Sequence, residues 1–158
     1  MKPNLLLDFE NALVSLCDME TGETLLHAEN HTPILQVCRA DAPPAQVGLH
    51  GVWQLIQDDV LLCTYIGGKN RDGLMFKQLQ RIEGQQITAV RFLRQKQHLF
   101  FDFSNGITLR LFSSPLREES YRVLFPQPEN HPGTKHPVFL MTCYGVHRAG
   151  ISRVTWQE

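Results

Sequence analysis

The chain has 158 residues, of which 42% are hydrophobic and 20% charged, and its formal net charge at pH 7 is −1. This length and composition are typical of one folded domain and exclude a disordered chain, so we expect a single globular domain over residues 1–158. A charge this close to zero excludes the basic surface of a general nucleic-acid-binding protein, and no apolar stretch approaches the roughly 20 residues that span a bilayer.

The cysteines and the first apolar stretch predict a cytosolic protein. The four cysteines form no Cys-x-x-Cys pair, and a chain of this length needs no disulfide framework. We expect free, mostly buried thiols at Cys17, Cys38, Cys63 and Cys143. Asp8 and Glu10 interrupt the first apolar stretch, which excludes a signal peptide there.

The first part of the chain reads as short strands separated by turns. "ALVSLCDMETGETLLHAE" predicts a hairpin around residues 20–23, where a glycine supplies the positive φ of the turn. "ILQVCRA" predicts a third strand, and "DAPPAQ" predicts a loop because prolines donate no ladder hydrogen bonds. "GVWQLIQDDVLLCTYIGG" predicts a second hairpin that turns at Asp58 and Asp59.

The next segment changes to a helical period. In "NRDGLMFKQLQRIEG", Met75, Leu79 and Ile82 fall on one face of a helix. Asp72 is placed to cap its first turn, and Gly84 lies just past its end. We therefore expect the best-defined helix of the chain here.

Three further runs, "ITAVRFL", "HLFFDF" and "ITLRLF", predict a β-meander. A two-residue turn at Asn105 and Gly106 would pair apolar with polar residues. A three-residue loop over residues 104–106, with Gly106 in the left-handed conformation, pairs apolar residues throughout: Phe103 with Ile107, Phe101 with Leu109, and Leu99 with Leu111. We predict the three-residue loop because it collects the apolar side chains on one face.

The last third of the chain is rich in structure breakers. "SSPLREESYRVLF" fits either a helix beginning at Ser114 and Pro115 or a strand over "YRVLF". "PQPENHPGTKHP" predicts a surface loop, and "VFLMTCYG" and "ISRVTW" predict a last hairpin with His147 in its turn. The elements together predict an α+β fold, a mostly antiparallel sheet of β-meander and hairpins with one or two short helices, packed in layers as one domain.

No motif predicts catalysis or a cofactor. His27, Glu29 and His31 have metal-binding side chains, but their spacing converges on one ion only in a helix, and this segment runs from a strand into a loop. The chain has no GxSxG motif and no cysteine in an electropositive turn. The glycines and basic residues of "YIGGKNRDG" lack the spacing of a phosphate-binding P-loop. The sequence therefore predicts a protein that is not an enzyme and holds no metal or cofactor.

The side of the meander opposite its apolar face is mixed rather than polar, so we expect another element or a partner to cover part of it. We call this the outer face and define it by five residues: His98, Phe100, Asp102, Arg110 and Phe112. Exposed loops also concentrate binding residues, and the proline-rich loop adds four candidates: Glu129, His131, Lys135 and His136. Aromatic and arginine side chains are the usual anchors of protein interfaces, so this set is the predicted partner-binding surface.

Two alternatives stay open. A small enzyme or ligand-binding protein would combine loop histidines with a carboxylate: His131 or His136 with Asp102 or Glu129. A weak single-stranded nucleic-acid-binding domain would combine a basic cluster with the outer aromatic residues: Arg91, Arg94 and Lys96 with Phe100 and Phe112. We expect a protein partner, with no membrane and no nucleic acid.

Residues 79–121 resemble a recurring bacterial pattern: Leu-x-x-(Leu/Ile)-x-Gly-x-x-(Ile/Val), a hydrophilic turn, an apolar strand, an (Asp/Asn)-Gly turn and a second strand. The matching positions are Leu79, Ile82, Gly84, Ile87, Val90, Leu99, Phe101, Phe103, Asn105, Gly106, Leu109, Glu119 and Tyr121. The pattern is similar to small β-meander families of unknown function, some of whose members resemble immunity proteins encoded beside secreted toxins. This resemblance implies a protein that neutralises a cognate toxin by covering its active site or docking beside it.

The same pattern also resembles the amino-terminal sheet of formamidopyrimidine-DNA glycosylases. That family requires a proline and a glutamate directly after the initiator methionine, whereas this chain begins Met1-Lys2-Pro3-Asn4. The catalytic residues are absent, so the resemblance does not imply glycosylase activity.

Overall fold

A computed structural model of the protein describes residues 5–27, 32–40, 42–65, 73–114, 119–126, 136–142 and 145–151. Within these ranges the helices are α1 (Leu5–Val14) and α2 (Leu74–Leu79), and α2 continues as a 3-10 turn over Gln80–Ile82. The strands are β1 (Leu25–Leu26), β2 (Pro33–Arg39), β3 (Ala42–Gly48), β4 (Val52–Gln57), β5 (Val60–Thr64), β6 (Ile87–Leu93), β7 (His98–Phe103), β8 (Ile107–Phe112), β9 (Tyr121–Leu124), β10 (His136–Thr142) and β11 (Gly145–Ile151). No helix in the described ranges is long and apolar enough to cross a membrane.

The strands form two sheets. The order in the six-stranded sheet is β1-β2-β3-β9-β10-β11, and the order in the five-stranded sheet is β5-β4-β8-β7-β6. Every pairing between the described strands is antiparallel. The predicted α+β fold, mostly antiparallel sheet with two short helices and a β-meander, is confirmed.

One apolar core lies between the two sheets. Leu55 and Leu109 enter it from the five-stranded sheet, and Val47 and Val123 enter it from the six-stranded sheet; all four are fully buried. Strands β7 and β8 each contribute every second side chain to this core, as expected for sheets that pack face to face. The other face of the five-stranded sheet is thereby directed away from the core.

Helix α1 joins the two sheets at one side of the core. The ring of Phe9 lies 5.2 Å from that of Phe92 in β6 and 5.3 Å from that of Phe139 in β10, measured between centroids. Phe9, Leu13 and Leu16 recur at helical spacing and are all buried. This amphipathic stripe explains why the segment is helical and which side of it faces the core.

The meander matches its prediction in both bounds and register. Phe101 pairs with Leu109 and Leu99 with Leu111, as the three-residue loop requires. Gly106 has a φ of +84°, and its N–H donates to the carbonyl oxygen of Phe103 at 3.0 Å. The inward-facing apolar residues of β7 and β8 are all buried, so burial of one face fixes the register.

The second hairpin is confirmed, and so is the presence of the helix, but α2 has 6 residues and is not the best-defined helix, because α1 has 10. Asp58 and Asp59 both have positive φ, 51° and 64°, which is the geometry of a tight hairpin turn between β4 and β5. The three predicted core residues of the α2 segment are buried, and Gly84 follows with a φ of +76°. Gly73 occupies the N-cap without a side-chain hydrogen bond, and Asp72, the predicted cap, lies outside the described residues.

The predicted first hairpin is wrong. Its first run begins in α1 rather than in a strand, because the apolar spacing that starts at Phe9 is helical. Glu20 and Thr21 do not turn a hairpin; each forms an isolated bridge elsewhere, Glu20 to Gln86 and Thr21 to Val37.

The predicted loop at "DAPPAQ" is also wrong, because β3 runs through Pro43 and Pro44. The register between β2 and β3 shifts at this point, and β3 pairs with β9 only from Gln46 onward. Both prolines therefore occupy an irregular stretch of the strand, where the ladder does not need their missing N–H groups.

Several C-terminal predictions are settled in part. "YRVLF" is a strand, since β9 covers Tyr121–Leu124, and the last hairpin exists as β10 and β11. His147 lies within β11, not in the turn, and of "ISRVTW" only Ile151 lies within the described residues. Of the predicted surface loop "PQPENHPGTKHP", residues 127–135 lie outside them, and the prediction is wrong at its last two residues because His136 and Pro137 begin β10.

The described cysteines are free, but they are not mostly buried. Cys63 is buried, Cys17 is partly buried and Cys38 is exposed. Cys38 follows the inward-facing Val37 in β2, so strand alternation turns its thiol outward. Cys143 lies outside the described residues.

Candidate protein-binding surface

The outer face forms because β7 and β8 alternate strictly between buried and partly buried side chains. The buried set enters the core, so all five outer-face residues lie on the opposite side of the sheet. The register places Phe100 between two arginines, with Arg91 opposite it in β6 and Arg110 opposite it in β8. Each outer-face side chain stays partly exposed.

Three aromatic rings contact one another on this face. The rings of His98 and Phe112 meet edge to face with their centroids 4.8 Å apart. Those of Phe100 and Phe112 are 6.0 Å apart, and those of His98 and Phe100 are 6.5 Å apart. Such contacts hold the rings in place and present a continuous apolar surface.

Two guanidinium groups lie over the ring of Phe100. The Cζ atom of Arg91 is 5.3 Å from the ring centroid, and the Cζ atom of Arg110 is 5.5 Å from it. Both distances are within the range of a cation–π interaction. The two arginines come from the strands on either side of β7, so they cover Phe100 from both sides.

The two arginines differ in charge compensation. Nη2 of Arg91 donates to Oδ1 of Asp102 at 3.0 Å, and the hydroxyl of Thr108 donates to the same oxygen at 2.7 Å. Arg110 has no ion pair or hydrogen bond with any described residue, and its Nε atom is buried without an acceptor. A buried donor without an acceptor costs free energy, and Arg110 is the one of these two arginines whose charge no described carboxylate balances.

The surroundings of His98 favour the neutral form of its ring. Partial burial lowers its pKa below the ordinary 6.5, and the charge of Lys96 acts in the same direction. A hydrogen bond with the Ser113 backbone opposes the shift. The ring is therefore part of the apolar surface rather than a second cation.

The structure brings together the five predicted outer-face residues but not the rest of the predicted surface. Glu129, His131 and Lys135 lie outside the described residues, and of His136 only the backbone in β10 is described. The sequence connected Arg91 with Phe100 and Phe112 only in the nucleic-acid alternative and did not place Arg91 on the outer face. The alternation of "ITAVRFL" contained that signal, because it places Arg91 and Leu93 on the outer side. Leu93 is 43% exposed beside His98.

The basic cluster proposed for nucleic-acid binding is partly neutralised. Arg91 pairs with Asp102, and Arg94 makes a two-oxygen ion pair with Glu10 of α1. The guanidinium groups over Phe100 also occupy the ring surface on which a base would stack. Neither feature favours nucleic acid.

A second polar region lies where β3 leads into β4. A cavity of about 40 Å³ is lined by residues that include Thr32, His50, Trp53 and Tyr65, enough room for a few water molecules. Burial lowers the pKa of His50, as do Arg122 and His27, while Glu119 raises it. No aspartate or glutamate is among the described lining residues of this cavity.

The described residues contain no group of three or more His, Cys, Asp or Glu side chains that could hold a metal ion. His27 is buried, while Glu29 and His31 lie outside the described ranges.

Comparison with protein-family models, curated proteins and solved structures found no match to this chain.

Proposed function

We propose that the protein is a non-enzymatic protein-binding module and that the outer face is its binding surface. The observation that carries the proposal is the cluster of three aromatic rings and two arginines on a partly exposed sheet face. The contacts described for these side chains come from the five-stranded sheet and from Ser113. Among the described residues, no hydrogen bond, ring contact or cation–π contact to the cluster comes from a helix or from the six-stranded sheet, and its side chains stay partly exposed, which supports an apolar area open to a partner.

The composition of the cluster favours a protein partner. Aromatic and arginine side chains contribute most of the binding free energy in protein interfaces, especially when they are held rigid before binding. Here the mutual contacts of the rings and the Arg91–Asp102 ion pair restrict the side chains in the unbound protein. A net charge of −1 and the single uncompensated arginine on this face oppose binding to a polyphosphate backbone.

The specific form of this function that we propose is that of an immunity protein. Such a protein binds a cognate toxin and covers its active site or docks beside it. The resemblance of residues 79–121 to immunity-protein-like families supports this form, and the outer face lies within that segment. We also propose a cytosolic location, where free thiols such as Cys17 and Cys38 stay reduced.

The test compares tagged wild-type protein with Phe112→Ala and Val14→Ala as baits in extracts of the source cells. Val14 is 66% exposed on α1, so Val14→Ala is the matched control for loss of a surface apolar side chain away from the outer face. Captured proteins are identified by mass spectrometry, produced separately, and titrated against each bait by calorimetry. Thermal unfolding verifies that both variants are folded.

We expect one protein to bind the wild type and Val14→Ala alike and Phe112→Ala at least about tenfold more weakly. Co-expression of the bait with that protein should also relieve its toxicity. Equal affinity of all three baits, or no specific protein at all, would show that the outer face is not the binding surface.

A further inference from the structure

We propose that the outer face recognises an acidic side chain of its partner, an aspartate or glutamate next to an apolar residue, and that Arg110 and Gln54 bind its carboxylate. This inference rests on the proposed function and adds the chemistry of the partner. The combination that supports it is an arginine without a charge partner, a neutral amide opposite it, and an aromatic surface alongside.

Arg110 is prepared for a carboxylate. It lies over Phe100, which holds the guanidinium group in place, and no described carboxylate is bound to it. Its Nε donor is buried without an acceptor, so a carboxylate reaches the terminal Nη1 and Nη2 groups, which are not among the buried atoms. A planar guanidinium with a free edge binds a carboxylate through two parallel hydrogen bonds.

Gln54 supplies a second donor. It lies directly opposite Arg110 in the β4–β8 pair, and directly opposite residues in antiparallel strands have their Cβ atoms about 5 Å apart. Gln54 is partly exposed, and its side chain makes no hydrogen bond within the described part of the chain. One carboxylate can therefore accept hydrogen bonds from both side chains without changing the backbone.

Asp102 makes the site selective for one negative charge. It neutralises Arg91. Of the two arginines over Phe100, only Arg110 then lacks a described carboxylate partner. A phosphate dianion or a nucleic-acid backbone would be repelled by the Asp102 carboxylate, and Arg110 alone would balance only one of its negative charges. Phe112 and His98 border Arg110 on the same face, so an apolar side chain next to the acid has a surface to cover.

The test follows the side-chain Nε–Hε signal of Arg110 by NMR in the isotope-labelled full chain. The signal is assigned by its loss in Arg110→Lys. The probes are acetyl-Leu-Glu-Leu-amide, its glutamine counterpart acetyl-Leu-Gln-Leu-amide, inorganic phosphate and a short oligothymidine. We expect the glutamate peptide to shift the signal saturably at concentrations up to about 20 mM, and the other three probes to leave it in place.

Variants separate this inference from a general charge effect. Arg110→Gln should weaken binding of the glutamate peptide about tenfold, measured on backbone amides of β4 and β8. Arg94→Gln is the matched control, because it removes the same charge just after β6, at a residue paired with Glu10. Asp102→Asn should increase the response to phosphate, since it releases Arg91. Equal shifts with the glutamate and glutamine peptides, or a stronger response to phosphate or oligothymidine, would overturn the inference.

The two proposals fail in different ways. A partner that depends on Phe112, combined with an Arg110 signal that ignores the glutamate peptide, leaves the protein-binding function intact and removes the carboxylate site. If the glutamate peptide shifts the Arg110 signal saturably but no protein is captured, the proposed protein-binding function is contradicted. The carboxylate that Arg110 binds could then not be assigned to a partner protein.

Discussion

At Gly106 a single backbone angle sets the register of the outer face. Its φ is +84°, and nothing lies within 4 Å of the position that a Cβ atom would occupy. Gly106→Ala should therefore cost only the backbone strain of the left-handed conformation, about 1 kcal/mol in the free energy of unfolding measured with urea. Gly22→Ala is the control, because its Cβ would meet only ordinary contacts at 3.6 Å and no positive φ is involved. Equal stability of Gly106→Ala and wild type would contradict the three-residue loop.

His50 should make the stability of the protein depend on pH. Burial lowers its pKa below 6.5, so the folded protein holds the ring neutral while the unfolded chain binds a proton below that pH. The free energy of unfolding should therefore rise as the pH increases through the window below 6.5 and level off above it. The opposing charge of Glu119 limits the size of the effect.

The measurement is urea unfolding between about pH 5 and pH 7.5. His50→Gln should flatten this profile. Part of the slope should remain, because the pKa of His98 is lowered in the same direction. A profile unchanged in His50→Gln would show that His50 is not the titrating group.

At the scale of elements, Tyr121 connects the six-stranded sheet to the turn between β6 and β7. It is fully buried in β9, and its hydroxyl donates to the carbonyl oxygen of Gln97 at 2.8 Å. Burial raises the pKa of this phenol well above 10, so it remains a donor across the ordinary pH range. Tyr121→Phe should lower the free energy of unfolding by about 1 kcal/mol, because it leaves a carbonyl without its donor. An unchanged or higher denaturation midpoint would argue against this bond.

The sequence predicted strands and their pairing correctly where only one register buries all the apolar side chains of one face. The alternation in β7 and β8 selected both the loop at Gly106 and the outer face, because any other register would expose apolar residues. Helix α1 was missed because its apolar stripe begins at Phe9, ahead of the segment read as a strand. Strand β3 was missed because an irregular stretch of sheet tolerates the two prolines, and pairing partners distant in sequence decide this.

The candidate site was predictable only to the level of a face. Alternation identifies which side chains share a side of the sheet, but not which of them neutralise one another. The Arg91–Asp102 pair depends on the register of β6, and the Arg94–Glu10 pair depends on where α1 packs. The proposed carboxylate site depends on Arg91 having a carboxylate partner and Arg110 having none. This difference could not be predicted from the sequence and is visible only in the tertiary structure.

At the scale of the whole molecule, the two sheets differ in how far apart their strands lie in the sequence. The five-stranded sheet is built entirely from residues 52–112, whereas the six-stranded sheet joins β3 to β9 across the whole of that segment. Closing a long loop costs conformational entropy, so we expect the five-stranded sheet to form earlier in folding. Leu109→Ala should mainly slow folding, and Val123→Ala should mainly speed unfolding. Stopped-flow kinetics in urea would measure both, and the reverse pattern would contradict this order.

This connectivity has a consequence for synthesis on the ribosome. The chain leaves the exit tunnel from its amino terminus, so β2 and β3 emerge before their neighbour β9 has been translated. Until β9 arrives, β3 carries a row of backbone N–H and C=O groups without partners, next to apolar side chains that later enter the core. The two consecutive prolines at the start of β3 have no backbone N–H, so they remove hydrogen-bond donors from this exposed edge. An edge with fewer free donors pairs less readily with the strand of a neighbouring nascent chain.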